Sequence, residues 1–174
     1  YWPDGAFTAP TDKALLYDIE LAKRAGFNVI RKHIKVEPQR WYYHCDRLGL
    51  MVWQDMPNLW EPDGEDSVAV RKQFRDELKD QHVSSPSIVM WVPFNENWGA
   101  FEATDITAWV KKYDPNRWVN GMSGYNYAPG YRKTYGDPGN GDFVDMHHYG
   151  KIEPKAIPRP DDKRAASLGE FGGK

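Results

Sequence analysis

Two glutamates stand where an acidic side chain is costly to keep. Glu96 follows the apolar run Ile88-Val89-Met90-Trp91-Val92-Pro93-Phe94-Asn95, and Glu170 closes Ser167-Leu168-Gly169. Desolvation penalises a carboxylate at the end of an apolar strand, so each acid needs a partner or a role. One reading is structural, a buried ion pair with Arg or Lys. The other is chemical: two carboxyl groups held in different protonation states can serve as acid and nucleophile. His33, Asp55, Asp145 and His147 also fall at strand ends and suggest a rival, a metal-dependent hydrolase. A catalytic zinc site takes three converging ligands, and the sequence holds neither His-Glu-x-x-His nor His-x-His.

These residues need elements that bring them together. Apolar or β-branched runs at 28–32, 51–55, 88–93, 118–120, 143–147 and 167–170 read as strands. Four helices fit between them. Thr11 can cap the first, which carries Leu15, Ile19 and Ala22 on one face and stops at Gly26. Pro38 suits the start of the second, whose stripe is Trp41, Cys45 and Leu48 and whose end is Gly49. The third carries Val70, Phe74 and Leu78 and ends at Ser85-Pro86, and the fourth groups Ile106, Trp109, Val110 and Tyr113. Residues 121–141, rich in Gly, Tyr, Asn and Pro, read as a long loop, a common carrier of function.

Strands alternating with helices predict an α/β fold with a parallel sheet and right-handed crossovers. The spacing fits a (β/α)8 barrel of TIM type. Eight such units would need about 220 residues, so the 174 residues hold about six of the eight strands. Counted as the second to seventh, they put Glu96 beyond the fourth and Glu170 on the seventh. Both then lie on the C-terminal rim, where barrel enzymes keep their active sites. A doubly wound nucleotide-binding sheet is the alternative, but no Gly-rich phosphate turn follows any strand.

Composition narrows the partners. A net charge of -2 with acids and bases interspersed offers no basic stripe for nucleic acid. No run approaches the roughly 18 apolar residues of a membrane span, and the first residues lack the pattern of a secretory signal. The single Cys45 falls within the apolar helical stripe and reads as core. Eight tryptophans and ten tyrosines are an excess; aromatic faces suit the C–H patches of sugar rings as well as cores. Trp98 and Trp60 lie in segments that should reach the rim.

The motifs Asn95-Glu96-Asn97-Trp98-Gly99 and Leu168-Gly169-Glu170-Phe171-Gly172-Gly173 resemble the acid/base and nucleophile motifs of glycoside hydrolase family 2. Tyr1 to Gly5, Arg31-Lys32-His33, Val52-Trp53-Gln54-Asp55 and Asp145-Met146-His147-His148-Tyr149 fit the same family's barrel, in order and spacing. The resemblance implies a retaining β-glycosidase in which Glu96 is the acid/base and Glu170 the nucleophile. By the same resemblance Asn95 bonds the sugar 2-hydroxyl, Tyr149 orients the nucleophile, and His33 and Asp55 contact sugar hydroxyls. If the fifth strand continues, His147 and His148 point to opposite faces, so at most one of them faces the site.

The resemblance also implies that residues 1–174 form one partial catalytic domain, without the first and eighth strands and the family's β-sandwich domains. It predicts a carbohydrate substrate, and no cofactor and no metal ligand is assigned among these residues. An absent Asn-x-Lys motif disfavours a glucuronide. The competing reading is a carbohydrate-binding barrel without chemistry. Open sheet edges predict self-association of the isolated chain.

Overall fold

The computed structural model describes residues 8–58, 65–127, 136–154 and 157–172; Trp60, Tyr1 to Gly5 and Gly173 lie outside them. The chain runs α1 (Asp12–Arg24), β1 (Val29–Lys32), α2 (Gln39–Leu48), β2 (Met51–Asp55), α3 (Glu65–Ser84), β3 (Ile88–Val92), α4 (Ala103–Tyr113), β4 (Trp118–Val119), β5 (Phe143–His148) and β6 (Ala165–Phe171). Local signals set these bounds. Thr11 Oγ1 accepts from Ala14 N at 3.1 Å and satisfies an otherwise unpaired donor of α1. Pro38 stands one position earlier than the first turn, as the N-cap of α2, and Gly49 ends that helix.

Every ladder is parallel. β1 to β4 form one sheet in sequence order, and β5 pairs with β6. The six expected strands are therefore present in barrel order, with an interruption between β4 and β5. Its cause is local. The Asp142 carboxylate accepts from Val119 N at 2.8 Å, and Asp142 N donates to Val119 O at 2.7 Å. These contacts occupy the backbone groups that a longer β4 would offer to β5. Side chains continue the connection, since Asn120 Nδ2 donates to Asp145 Oδ2 at 2.6 Å.

The apolar core lies against β1 to β4. Ile19, Trp41, Cys45, Val52, Leu78, Ile88, Trp91 and Val110 belong to one buried cluster with Phe74, Phe94 and Phe101. Cys45 is wholly buried, and burial pushes its thiol up to about 12, so it packs as core. Among the described residues, no helix is long and apolar enough to cross a membrane.

Candidate active site

β2, β3, β5 and β6 deliver the acids and their partners to one rim. Asp55 is the last residue of β2, Asn95 and Glu96 follow β3, Tyr149 follows β5, and Glu170 lies near the end of β6. Glu170 reaches the inner face through a bulge: Met146 pairs with Leu168, but His147 pairs with Glu170, leaving Gly169 as the extra residue. Side chains alternate across a strand, so without this shift Gly169 would stand opposite His147. A glycine is required there, because a Cβ would lie 2.4 Å from Asp145 Oδ2.

Arg31 is the centre of charge. Its Nε and Nη2 grip Asp55 at 3.0 and 2.8 Å, Nη1 donates to Glu170 Oε1 at 2.8 Å, and Nη2 also reaches Asn95 Oδ1 at 2.8 Å. Asp55 has no exposed surface. Desolvation holds its carboxyl above the ordinary value, and the charge and hydrogen bonds of Arg31 oppose that rise without cancelling it. Burial lowers the affinity of Arg31 for its proton, but Asp55 and Glu170 outweigh it, so the guanidinium is held charged.

Glu96 is 8% exposed. Its Oε1 lies 2.7 Å from His147 Nδ1 and accepts from Tyr149 Oη at 2.9 Å; Tyr149 Oη also lies 2.5 Å from Glu170 Oε2. Burial alone would raise the Glu96 carboxyl, but the hydrogen bonds from His147 and Tyr149 outweigh it and bring it below its ordinary value. Partial burial, reinforced by the bonds to Glu170 and Glu96, drives the Tyr149 phenol well above its ordinary range.

A second hydrogen-bonded chain stands behind His147. Its Nε2 is 2.9 Å from Ser123 Oγ, which donates to Asp145 Oδ2 at 2.7 Å; Asp145 Oδ1 accepts from Gly169 N at 2.7 Å. Asn126 clamps the His147 backbone, accepting from its N–H at 3.0 Å and donating to its C=O at 2.9 Å. Gly124 has a left-handed φ of 62°, and a Cβ there would meet His147 Nδ1 at 2.3 Å. His148 points away, with Nε2 2.9 Å from Lys151 O.

Residues 8–130 match the family described as "Glycosyl hydrolases family 2, TIM barrel domain". The chain belongs to glycoside hydrolase family 2. Its β-mannosidase B relative from Aspergillus fumigatus is 32% identical over 93 residues, covering 48% of this chain and 10% of that protein. A β-galactosidase of Vibrio vulnificus is 28% identical over 117 residues, covering 62% and 11%. The chain thus spans about a tenth of the length of the curated relatives it matches. Among solved structures, an FMN-binding β-glucuronidase from Facaelibacterium prausnitzii aligns with a TM-score of 0.63 at 26% identity, over 80% of this chain and 22% of that one. An Amycolatopsis orientalis exo-chitosanase aligns over 92% of this chain and 20% of its own, with a TM-score of 0.56 at 13% identity, and speaks for the fold alone.

Most of the site residues expected from the sequence converge in this family 2 barrel. Glu96, Glu170, Asn95, His147 and Tyr149 share the network, and His33, half-exposed, brings Nε2 to 3.6 Å from Glu170 Oε1; Asp55 joins it only through Arg31 and, with no exposed surface, does not present the sugar contact expected of it. Trp98 sits half-buried on the same turn, its N–H on Asn95 O at 2.9 Å. Arg31, Ser123, Asp145 and Asn126 are partners that sequence reasoning did not assign to this network. Arg31 had one signal, a cation inside a motif already singled out.

The metal-hydrolase grouping of His33, Asp55, Asp145 and His147 does not form a ligand set: Asp55 is spent on Arg31, and Asp145 on Asn120, Ser123 and Gly169. Glu96, His147 and Glu170 do offer ligand atoms within 4.8 Å of one another. Both His147 nitrogens are already hydrogen-bonded, and the Arg31 guanidinium lies against Glu170, a poor neighbourhood for a second cation.

Proposed function

We propose that the full-length protein hydrolyses terminal β-glycosidic bonds with retention of configuration. The observation that carries this reading is the approach of two carboxylates, with oxygens within 4.8 Å and one tyrosine hydroxyl against both. Retaining enzymes hold their carboxyl groups roughly 5–5.5 Å apart, whereas inverting enzymes leave room for a water at roughly 6.5–9.5 Å. Glu170 is the nucleophile. Its Oε attacks the anomeric carbon while Glu96 gives its proton to the departing glycosidic oxygen. In the second step Glu96 takes a proton from water as that water breaks the glycosyl ester and frees Glu170.

The single hydrogen of Tyr149 suits both steps, going to Glu170 while Glu96 holds its proton. After glycosylation Glu170 carries no charge, Tyr149 turns to Glu96, and Glu96 becomes the hydrogen-bonded carboxylate whose affinity for a proton is lowered. Arg31 donates to Glu170 and takes the Asn95 carbonyl, which leaves the Asn95 amide N–H groups to meet the sugar 2-hydroxyl.

The test uses the full-length protein and a panel of chromogenic β-mannosides, β-galactosides, β-glucosides and β-glucuronides, which also identifies the glycone. Glu170→Gln should lose turnover on every substrate by about 10⁴-fold or more. Glu96→Ala should keep substantial glycosylation of activated aryl substrates, and azide should yield a β-glycosyl azide. Equal losses on activated and unactivated leaving groups, with no azide product, would sink the assignment of Glu96. Among the described ladders, β1 and β6 each pair on one side only, so the 174-residue chain by itself should self-associate. Size-exclusion chromatography with light scattering checks this, and a stable monomer contradicts it.

A further inference from the structure

The turn that carries Glu96 is held in an unfavourable backbone conformation by a neighbouring loop. Glu96 and Asn97 have left-handed φ angles of 48° and 62°, and two consecutive non-glycine residues adopt that region only when their surroundings impose it. Glu96 N donates to Ser123 O at 2.8 Å, and Asn97 N lies 3.3 Å from Met122 Sδ. The Asn97 carboxamide, 7% exposed, does more. Its Nδ2 donates to Tyr127 O at 2.8 Å and approaches Tyr125 O at 3.4 Å, while its Oδ1 accepts from Gly136 N at 3.1 Å. One side chain therefore fixes both described flanks of residues 128–135 to the turn of the acid/base glutamate.

The residue delivered by this anchorage is Tyr127. Its N–H donates to Gly124 O at 2.8 Å, and its ring stands edge-on to Tyr149 with centroids 5.1 Å apart and 6.5 Å from His147. Tyr149 and His147 both hydrogen-bond the Glu96 carboxylate. Tyr127 thus lies one ring outward from the acid, and 39% of its surface is exposed. An acid that protonates the glycosidic oxygen must stand on the leaving-group side, so an exposed ring beside it faces the departing half of the substrate. The apolar C–H patches of a sugar ring and the edge of an aryl group both suit such a surface.

We propose that Tyr127 is the platform for the leaving group and that Asn97 is the positioning residue that sets it there. This rests on the retaining-glycosidase reading of Glu96. The full-length protein is assayed on two substrates sharing the glycone found in the panel, a β-linked disaccharide and the methyl β-glycoside. Both leave as alcohols of high pKa and need the same acid, but one presents a ring to Tyr127. Tyr127→Ala should lower kcat/KM for the disaccharide roughly tenfold, mainly through KM, and for the methyl glycoside by about twofold. Tyr127→Phe, which keeps the ring, should rescue most of that loss.

Asn97→Ala should reproduce the selective loss, and Asn97→Asp, which keeps the acceptor for Gly136 but loses the donor to Tyr127, should reproduce part of it. The double variant Asn97→Ala/Tyr127→Ala should be no worse on the disaccharide than the weaker single variant, as expected for residues acting through one another. Equal losses on both substrates, or none on either, would overturn the platform. Additive losses would overturn the link to Asn97. A wild-type protein active on no β-glycoside would overturn the glycosidase reading and the platform together, an outcome the substrate ratio cannot be confused with.

Discussion

The two proposed catalytic carboxylates are held by different physics. Glu96 follows β3, whose Ile88, Met90, Trp91 and Val92 are almost wholly buried, and the apolar cluster around it extends from Leu15 to Met122. Glu170 sits on β6, half-buried along its interior, and among the described residues none of the buried members of that cluster lies beyond Met122, with Tyr125 packed against its edge. Polar contacts fix it instead: Arg31 on its carboxylate, Tyr149 against it, and Asp145 on the backbone of Gly169. Arg164, gripping Asp137 and Asp161, ties the approach to β6 to the loop before β5. Apolar packing is insensitive to charge, whereas a polar frame depends on every partner being present. The half bearing Glu170 is thus the one that single charge changes can detach.

Removing Arg31 should break the comparison most severely. Arg31→Ala leaves Asp55, which has no exposed surface, without its counterion, a loss of about 3–5 kcal/mol for a buried pair broken from one side. The effect should depend on pH in a defined direction. The Asp55 carboxyl already lies above its ordinary value of 3.8 through desolvation, and losing Arg31 raises it further. A carboxyl raised in the folded state binds more protons there than in the unfolded chain. Stability then falls as pH climbs from the unfolded value through the folded one, so the penalty is full at neutral pH and smallest below 3.8. Urea unfolding at acidic and neutral pH measures this, and an equal loss at both would show that Arg31 acts through packing.

Shortening apolar side chains sharpens the same contrast. Ile88→Ala, in a strand that is 1% exposed at that residue, should cost about 2–5 kcal/mol. Leu168→Ala, on half-buried β6, should cost about 1 kcal/mol or less. Native-state hydrogen exchange should agree, with β6 amides opening at lower free energy than those of β3. Equal costs and equal protection would mean that β6 has an apolar support of its own.

Legibility in the sequence follows this division. Where burial sets structure, as in β2, β3 and the stripes of α1 and α2, apolar periodicity with Thr11, Gly49 and Pro86 locates the elements closely. The two acids are visible because a carboxylate ending an apolar run needs explanation. Arg31 as a shared counterion is not, since its three partners converge from β2, β3 and β6 only in space. Gly169 carried a faint signal, an isolated glycine inside a strand, which often marks a bulge. The Ser123 and Asp145 contacts to His147 depend on the connection from β4 to β5, where a carboxylate replaces a ladder and no pattern of alternation reports it.

The smallest expected effect tests how the two halves communicate, since Tyr149 alone has its hydroxyl on both carboxylates. Its bond is among the causes that hold the Glu96 carboxyl below its ordinary value, after burial, which opposes ionisation, and His147. A donor to the charged form favours that form, so Tyr149→Phe should raise the affinity of Glu96 for its proton. In the proposed mechanism Glu96 must be protonated for the first step, and activity then falls on the alkaline side as that proton is lost. The alkaline limb of kcat/KM should therefore move to higher pH, by up to about one unit if the bond contributes roughly 1.4 kcal/mol. A pH profile of the full-length protein on an unactivated β-glycoside reads the shift. Movement to lower pH, or an unmoved limb with only the amplitude reduced, would mean that Tyr149 serves Glu170 alone and that the two carboxylates are tuned separately.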